Sequence, residues 1–99
     1  MRTVYKYPLN LGNFTRFLPY GWQAVMVEVQ DGQPCLWAEV DTTCEKEEVR
    51  FLLIGTGQQI PAEAQHVCSF QQPPFVWHLY RMPEDVELPT DVTREEAVA

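Results

Sequence analysis

The chain has 99 residues, 45% of them hydrophobic and 12% aromatic, with a formal net charge of −7. That composition suits one globular domain with an ordinary apolar core and excludes a disordered chain. No apolar run approaches the roughly twenty residues of a membrane-spanning helix. An acidic balance also argues against direct binding to nucleic-acid phosphates.

The charge is unevenly placed. Residues 83–99 carry Glu84, Asp85, Glu87, Asp91, Glu95 and Glu96 against Arg94, so most of the acidity belongs to a tail. The opening residues, MRTVYKYPLN, lack the apolar stretch of a secretion signal. Three cysteines, Cys35, Cys44 and Cys68, form no regular framework, which points to reduced thiols and a cytosolic setting.

In chain order, Thr3–Leu9 reads as a first strand that Pro8 ends or places at an edge. Gly12-Asn13 is a turn signal, and Phe14–Leu18 is a short second strand. Pro19-Tyr20-Gly21 is a turn.

Ala24–Asp41 is the clearest element. Two alternating runs flank Asp31-Gly32, a pair that tolerates the positive φ of a two-residue hairpin loop. That loop pairs Gln30 with Gln33, Glu28 with Cys35, Val27 with Leu36 and Met26 with Trp37. Val25, Val27, Val29, Leu36, Ala38 and Val40 then share a core face. The other face carries Ala24, Met26, Glu28, Cys35, Trp37 and Glu39 and is mixed.

After the polar link Thr42–Glu48, Val49–Ile54 is apolar on both faces past Arg50 and reads as a central strand. Gly55-Thr56-Gly57 ends it. Ala62–Gln65, behind Pro61, suits one helical turn. His66–Phe70 and Phe75–Arg81 are the last strands, separated by a turn at Gln71–Pro74. The expected fold is all-β: a small antiparallel sandwich or open barrel of six to seven short strands. The domain spans residues 1–82, with a loosely ordered acidic tail at 83–99 that is extended or forms a short helix from about Thr90.

Four groups of residues invite chemistry. Gly55, Thr56 and Gly57 offer backbone amides to a ligand, but no lysine or third glycine completes a phosphate-loop motif. Trp77 or Tyr80 could stack on a base there, with Arg50 and Arg81 the best available cations. His66, Cys68 and His78 are the one candidate metal cluster, since His66 and Cys68 share a face of a regular strand. Their spacing matches no compact zinc signature. Ser69 lacks a nucleophile elbow, and Cys44 sits among Glu45, Glu47 and Glu48, which disfavour a thiolate. The expectation is therefore no enzyme, no cofactor and no bound metal. The fourth group is aromatic: Trp37 beside Met26, with Tyr20 and Trp22 in the turn before the hairpin. Such residues anchor interfaces.

The strings VEVQDGQPCLWAEVD, FLLIGTGQQIP, HVCSFQ and FVWHLY, with the opening YKYPL, resemble a family of small uncharacterised proteins. Phages, prophages and other bacterial mobile elements carry most of them. The likeness spans nearly all of residues 3–81, with Glu28 where the pattern often has Gln and Ser69 in place of Thr. It implies a setting, the host bacterial cytosol, but no established activity. By analogy, small acidic proteins of such elements bind host proteins or sequester signalling molecules. The leading expectation is thus a non-enzymatic accessory protein that binds a host protein, such as a defence or transcription component, through Trp37, Met26, Tyr20 and Trp22. The alternatives are a nucleotide-binding or sequestering protein using the Gly55–Gly57 loop, and a virion component. Edge strands of an open sheet would also allow a homodimer.

Overall fold

Alternating apolar runs broken by glycine, proline and Asp-Gly carry a period of two, and they form strands. The computed structural model describes residues 1–83. It contains β1 (Arg2–Pro8), β2 (Gly12–Pro19), β3 (Gln23–Gln30), β4 (Gln33–Asp41), β5 (Lys46–Gly55), β6 (Gln65–Gln72) and β7 (Phe75–Met82). All strand pairs are antiparallel. They form a three-stranded sheet of order β1-β4-β3 and a four-stranded sheet of order β2-β5-β7-β6. The acidic tail lies outside the described residues apart from Pro83.

The β3–β4 hairpin has the expected register, with Met26 opposite Trp37, Val27 opposite Leu36 and Glu28 opposite Cys35. Its loop is Asp31-Gly32, with φ of 53° and 79°, the left-handed pair that matches the twist of the flanking strands. The expected core face is corrected at one point. The ladder slips between Ala24 and Met26, so Val25 is left outside the regular alternation and stands 59% exposed. The expected helical turn at Ala62–Gln65 is also replaced. The Ala64 N–H donates to the Pro61 carbonyl at 3.1 Å, closing a single β-turn, and no described residue is helical.

The core lies between the sheets. Val27, Leu36, Ala38 and Val40 from one sheet meet Phe14, Leu18, Val49, Phe51, Leu53, Phe70 and Leu79 from the other. Phe14 stacks on Phe51 across the β2–β5 pair, with ring centroids 5.4 Å apart. β5 lies inside its sheet and is buried on both faces, since Leu52 and Ile54 are as inaccessible as Phe51 and Leu53. At one side the edges β3 and β6 approach each other, and Ala24, Val25, Met26 and Val27 line a small cleft with Val67 and Cys68. Each of these edges carries an irregularity there, at Val25 and at Val67.

Candidate functional site

Two surfaces gather the residues singled out in the sequence, one on the outer face of each sheet. On the three-stranded sheet, Lys6, Trp37 and Met26 stand in one cross-strand row. Val27 and Leu36 point to the core, so the alternation sends Met26 and Trp37 outward. Met26 is 43% exposed and Val4, on β1, is 48% exposed, while Trp37 is half-buried. Three of the charges on this face, Arg2, Glu39 and Lys6, are tied to neighbours. Arg2 pairs with Glu39, and Lys6 Nζ donates to Gln30 Oε1 at 2.7 Å. Lys6 comes from β1 and Gln30 from β3, so their bond bridges β4 at the level of Cys35. That strap explains why Cys35 is only 3% exposed although it faces away from the core.

Tyr20 and Trp22 do not join this row. Tyr20 is exposed in the β2–β3 turn, where its N–H donates to the Glu45 carbonyl at 2.8 Å. It therefore belongs to the end of the sandwich beside the β4–β5 loop. Trp22 is a core-edge residue. Its ring lies 5.8 Å from that of Phe51, and the Arg81 guanidinium covers it at 5.2 Å. Arg81 in turn donates to both carboxylate oxygens of Glu47 at 3.3 Å. The Trp22 indole Nε1 is buried without a hydrogen-bond partner. A buried donor left unpaired costs about 1–3 kcal/mol, so Trp22 holds its place through packing.

The second surface is on the four-stranded sheet. A cavity of about 140 Å³ is lined by Ile54, Thr56, Gly57, Ile60, His78 and Tyr80 among others. The chain turns back at Gly55–Gln58, where the Gln58 N–H donates to the Gly55 carbonyl and the Gly55 N–H donates to Gln58 Oε1. Gly57 has φ of 96°, a conformation that disfavours any side chain. Beside the cavity, on the exposed face of the sheet, runs a chain of four side chains. Thr56 Oγ1 and His78 Nε2 are 3.0 Å apart, His78 Nδ1 and Ser69 Oγ 2.7 Å, and Ser69 Oγ and His66 Nε2 2.8 Å. His66 also meets Tyr80 edge-on, with centroids 5.2 Å apart.

This arrangement corrects the expected metal cluster. The β6–β7 ladder slips between His66 and Cys68. Val67 is the extra residue, and Val67 and Cys68 both pack against the core. Cys68 lies opposite Leu79 and Ser69 opposite His78, so Ser69 takes the place between the imidazoles once the slip brings His66 to the same face. Among the described residues, no group of three or more His, Cys, Asp or Glu side chains stands close enough to hold a metal ion.

Trp77 is also on the other side from Tyr80. It packs against the core, stacks on Phe75 at 5.3 Å and donates its Nε1–H to Gln72 Oε1 at 3.0 Å. It cannot stack on a ligand held against Tyr80. Arg50 shares the face of Ile54 but sits four residues along β5, about 13 Å away, where its Nη2 donates to the Pro83 carbonyl.

The Ser69–His78 contact was within reach of the sequence. Counting outward from a two-residue turn at Pro73-Pro74 pairs Gln72 with Phe75 and Ser69 with His78, as observed. His66 joins them only because of the extra residue at Val67, which nothing local marks.

Among the described residues, no helix is long and apolar enough to cross a membrane. A family model described as a domain of unknown function, DUF7352, matches residues 1–89. No curated protein and no solved structure matches the chain.

Proposed function

The chain belongs to the DUF7352 family, and we propose that it is a non-enzymatic accessory protein of a phage or other mobile element that binds a host protein. The binding surface is the outer face of the three-stranded sheet. The observation that carries this reading is the row of Lys6, Trp37 and Met26 across all three strands, with Val4 and Val25 exposed beside it. A half-buried tryptophan flanked by a flexible methionine is a typical interface anchor. Arg2 and Glu39 pair with each other and Lys6 donates to Gln30, while Glu28, two residues from Met26, is exposed, where a partner can supply its counter-charge. The mobile-element setting rests on the resemblance of the hairpin, the Gly55–Pro61 loop and the final strand to proteins of such elements. The host bacterial cytosol follows from the same resemblance.

The test is site-specific photo-crosslinking from position 4 inside a bacterial host, read with and without Met26→Glu. One discrete adduct that Met26→Glu abolishes, with an unchanged melting temperature, is the expected result. Adducts that persist at equal yield in Met26→Glu refute the assignment of this face.

A further inference from the structure

The cavity beside Thr56 lies on the opposite sheet from the proposed protein-binding face, and its features are those of a small-ligand site. Its size is the first. At about 140 Å³ it is close to the ~150 Å³ that holds one benzene ring in an engineered protein cavity. Its walls are the second. Ile54 and Ile60 supply apolar surface and Tyr80 an aromatic ring, while exposed Thr56, Gly57 and Ile60 leave it open to solvent. Its charge is the third. No described residue lining it carries a permanent charge, and Arg50 is too far along β5 to reach a phosphate held there.

The fourth feature is the hydrogen-bond chain from Thr56 through His78 and Ser69 to His66. A hydroxyl both donates and accepts, and a neutral imidazole has one donor and one acceptor nitrogen. The chain therefore has two complete settings. In one, His66 Nε2–H donates to Ser69, Ser69 donates to His78 Nδ1, and His78 Nε2–H donates to Thr56. The Thr56 hydroxyl hydrogen is then free for a ligand. In the other, every bond is reversed: Thr56 donates to His78, and its oxygen offers only lone pairs. The rim of the cavity can thus present a donor or an acceptor without breaking any bond of the chain beside it.

We propose that this cavity binds a neutral, planar heteroaromatic ring of nucleobase type, with Thr56 reading its polar edge and the His78–Ser69–His66 chain setting the polarity of Thr56. The ligand is a free base or nucleoside, and a phosphate adds nothing to its binding. When His66 is charged, both of its ring nitrogens carry hydrogen, so Nε2 can only donate to Ser69. That locks the first setting while His78 stays neutral, and the site then favours ring acceptors over ring donors. The other titratable or charged groups on this face are His78, Tyr80 and, farther along β5, Arg50 and Glu48, with Glu63 in the turn ahead of β6.

The experiment is amide chemical-shift mapping of the full chain with uridine and uridine monophosphate. It is repeated with N-methyl-2-pyridone, an acceptor-only ring, and pyrrole, a donor-only ring, at pH about 5 and about 8, which bracket the range where imidazoles change charge. Shifts confined to residues 54–60 and 76–80, with uridine and its monophosphate bound equally, are expected. Thr56→Val should weaken uridine binding about three- to tenfold. Acidification should favour the pyridone over pyrrole in the native chain and leave the ratio unchanged in Ser69→Ala. No shifts at millimolar ring compound, or binding indifferent to Thr56→Val, overturns the site. A monophosphate bound more than tenfold tighter than the nucleoside overturns the ligand class. A pH response that survives Ser69→Ala overturns the role of the chain.

Discussion

Leu36 and Trp37 are neighbours on β4 that face opposite ways, and truncating each to alanine tests the fold and the binding face together. Leu36 is fully buried between the sheets, so Leu36→Ala loses its transfer energy and leaves a cavity, about 3–4 kcal/mol in all. Truncating a fully buried tryptophan costs about 3–5 kcal/mol. Trp37 is half-buried, with Met26 and Lys6 as its cross-strand neighbours, so Trp37→Ala should cost about half of that, near 2 kcal/mol. At roughly 4–8 °C per kcal/mol for a domain of this size, Trp37→Ala lowers the melting temperature by about 8–16 °C and Leu36→Ala by about twice as much. Urea unfolding followed by far-ultraviolet circular dichroism reads both without relying on the lost indole. Trp37→Ala should fold and fail to engage a partner, whereas Leu36→Ala should engage one whenever it is folded. Equal costs for the two substitutions would mean that Trp37 is core, and the proposed face would be wrong.

Three other outcomes follow from particular contacts. Trp22→Phe keeps most of the packing on Phe51 and removes the unpaired buried donor, so it should change stability by less than about 1 kcal/mol, against roughly 3 kcal/mol for Trp22→Ala; a large loss in Trp22→Phe would show that the indole N–H has a partner in solution. Thr43 donates both its hydroxyl and its N–H to Asp41 Oδ1 at 2.6 and 2.9 Å, which holds that carboxyl below the usual aspartate range. The unfolded chain therefore takes up this proton first as pH falls, so the contribution of Asp41 is complete above the ordinary aspartate pKa and is lost as pH drops through the depressed one; Asp41→Asn should flatten the acid limb of a stability–pH curve and leave its neutral limb parallel. Of the three free cysteines, Cys44 is exposed, Cys68 half-buried and Cys35 buried, so a thiol reagent should modify Cys44 at once and Cys35 last. Lys6→Ala, which removes the strap over β4, should speed Cys35 selectively.

Much of this fold is legible because its strongest signals are local. Asp31-Gly32 sets the hairpin register without help from the rest of the chain, and the two-faced apolar run of β5 marks it as central. What a single sequence hides is pairing between distant segments. Nothing in the residues of β1 marks β4 as its partner, or β5 as the partner of β2. The two slips at Val25 and Val67 are hidden for the same reason. Valine is a good strand former, and the places where it drops out of register face each other across the β3–β6 cleft. Those slips decide the sites: one exposes Val25 beside Met26, and the other brings His66 onto the face of Ser69 and His78. The sequence suggests Trp22 and Trp77 for binding surfaces because an aromatic residue near a turn suits a core edge and a surface equally well. Their partners, Arg81 and Gln72, lie on other segments of the chain or across a turn.

The order of strands also has a consequence in time. The chain passes from one sheet to the other after β1, again after β2, and again after β4, so neither sheet can be completed before the other begins. Only the β3–β4 and β6–β7 pairs join neighbours through short turns, and these can close in microseconds. The β1–β4 and β2–β5 pairings must wait for segments nearly thirty residues apart or more to meet (Pro8 with Cys35, and Pro19 with Lys46, are the contacts nearest in sequence). Folding of such a topology runs on the scale of milliseconds to seconds. The same two late strands, β1 and β2, are the outer edges of the finished sheets. During that interval the unfilled places beside β4 and β5 stand open to strands of other chains, so refolding yield should fall with protein concentration well before native stability does.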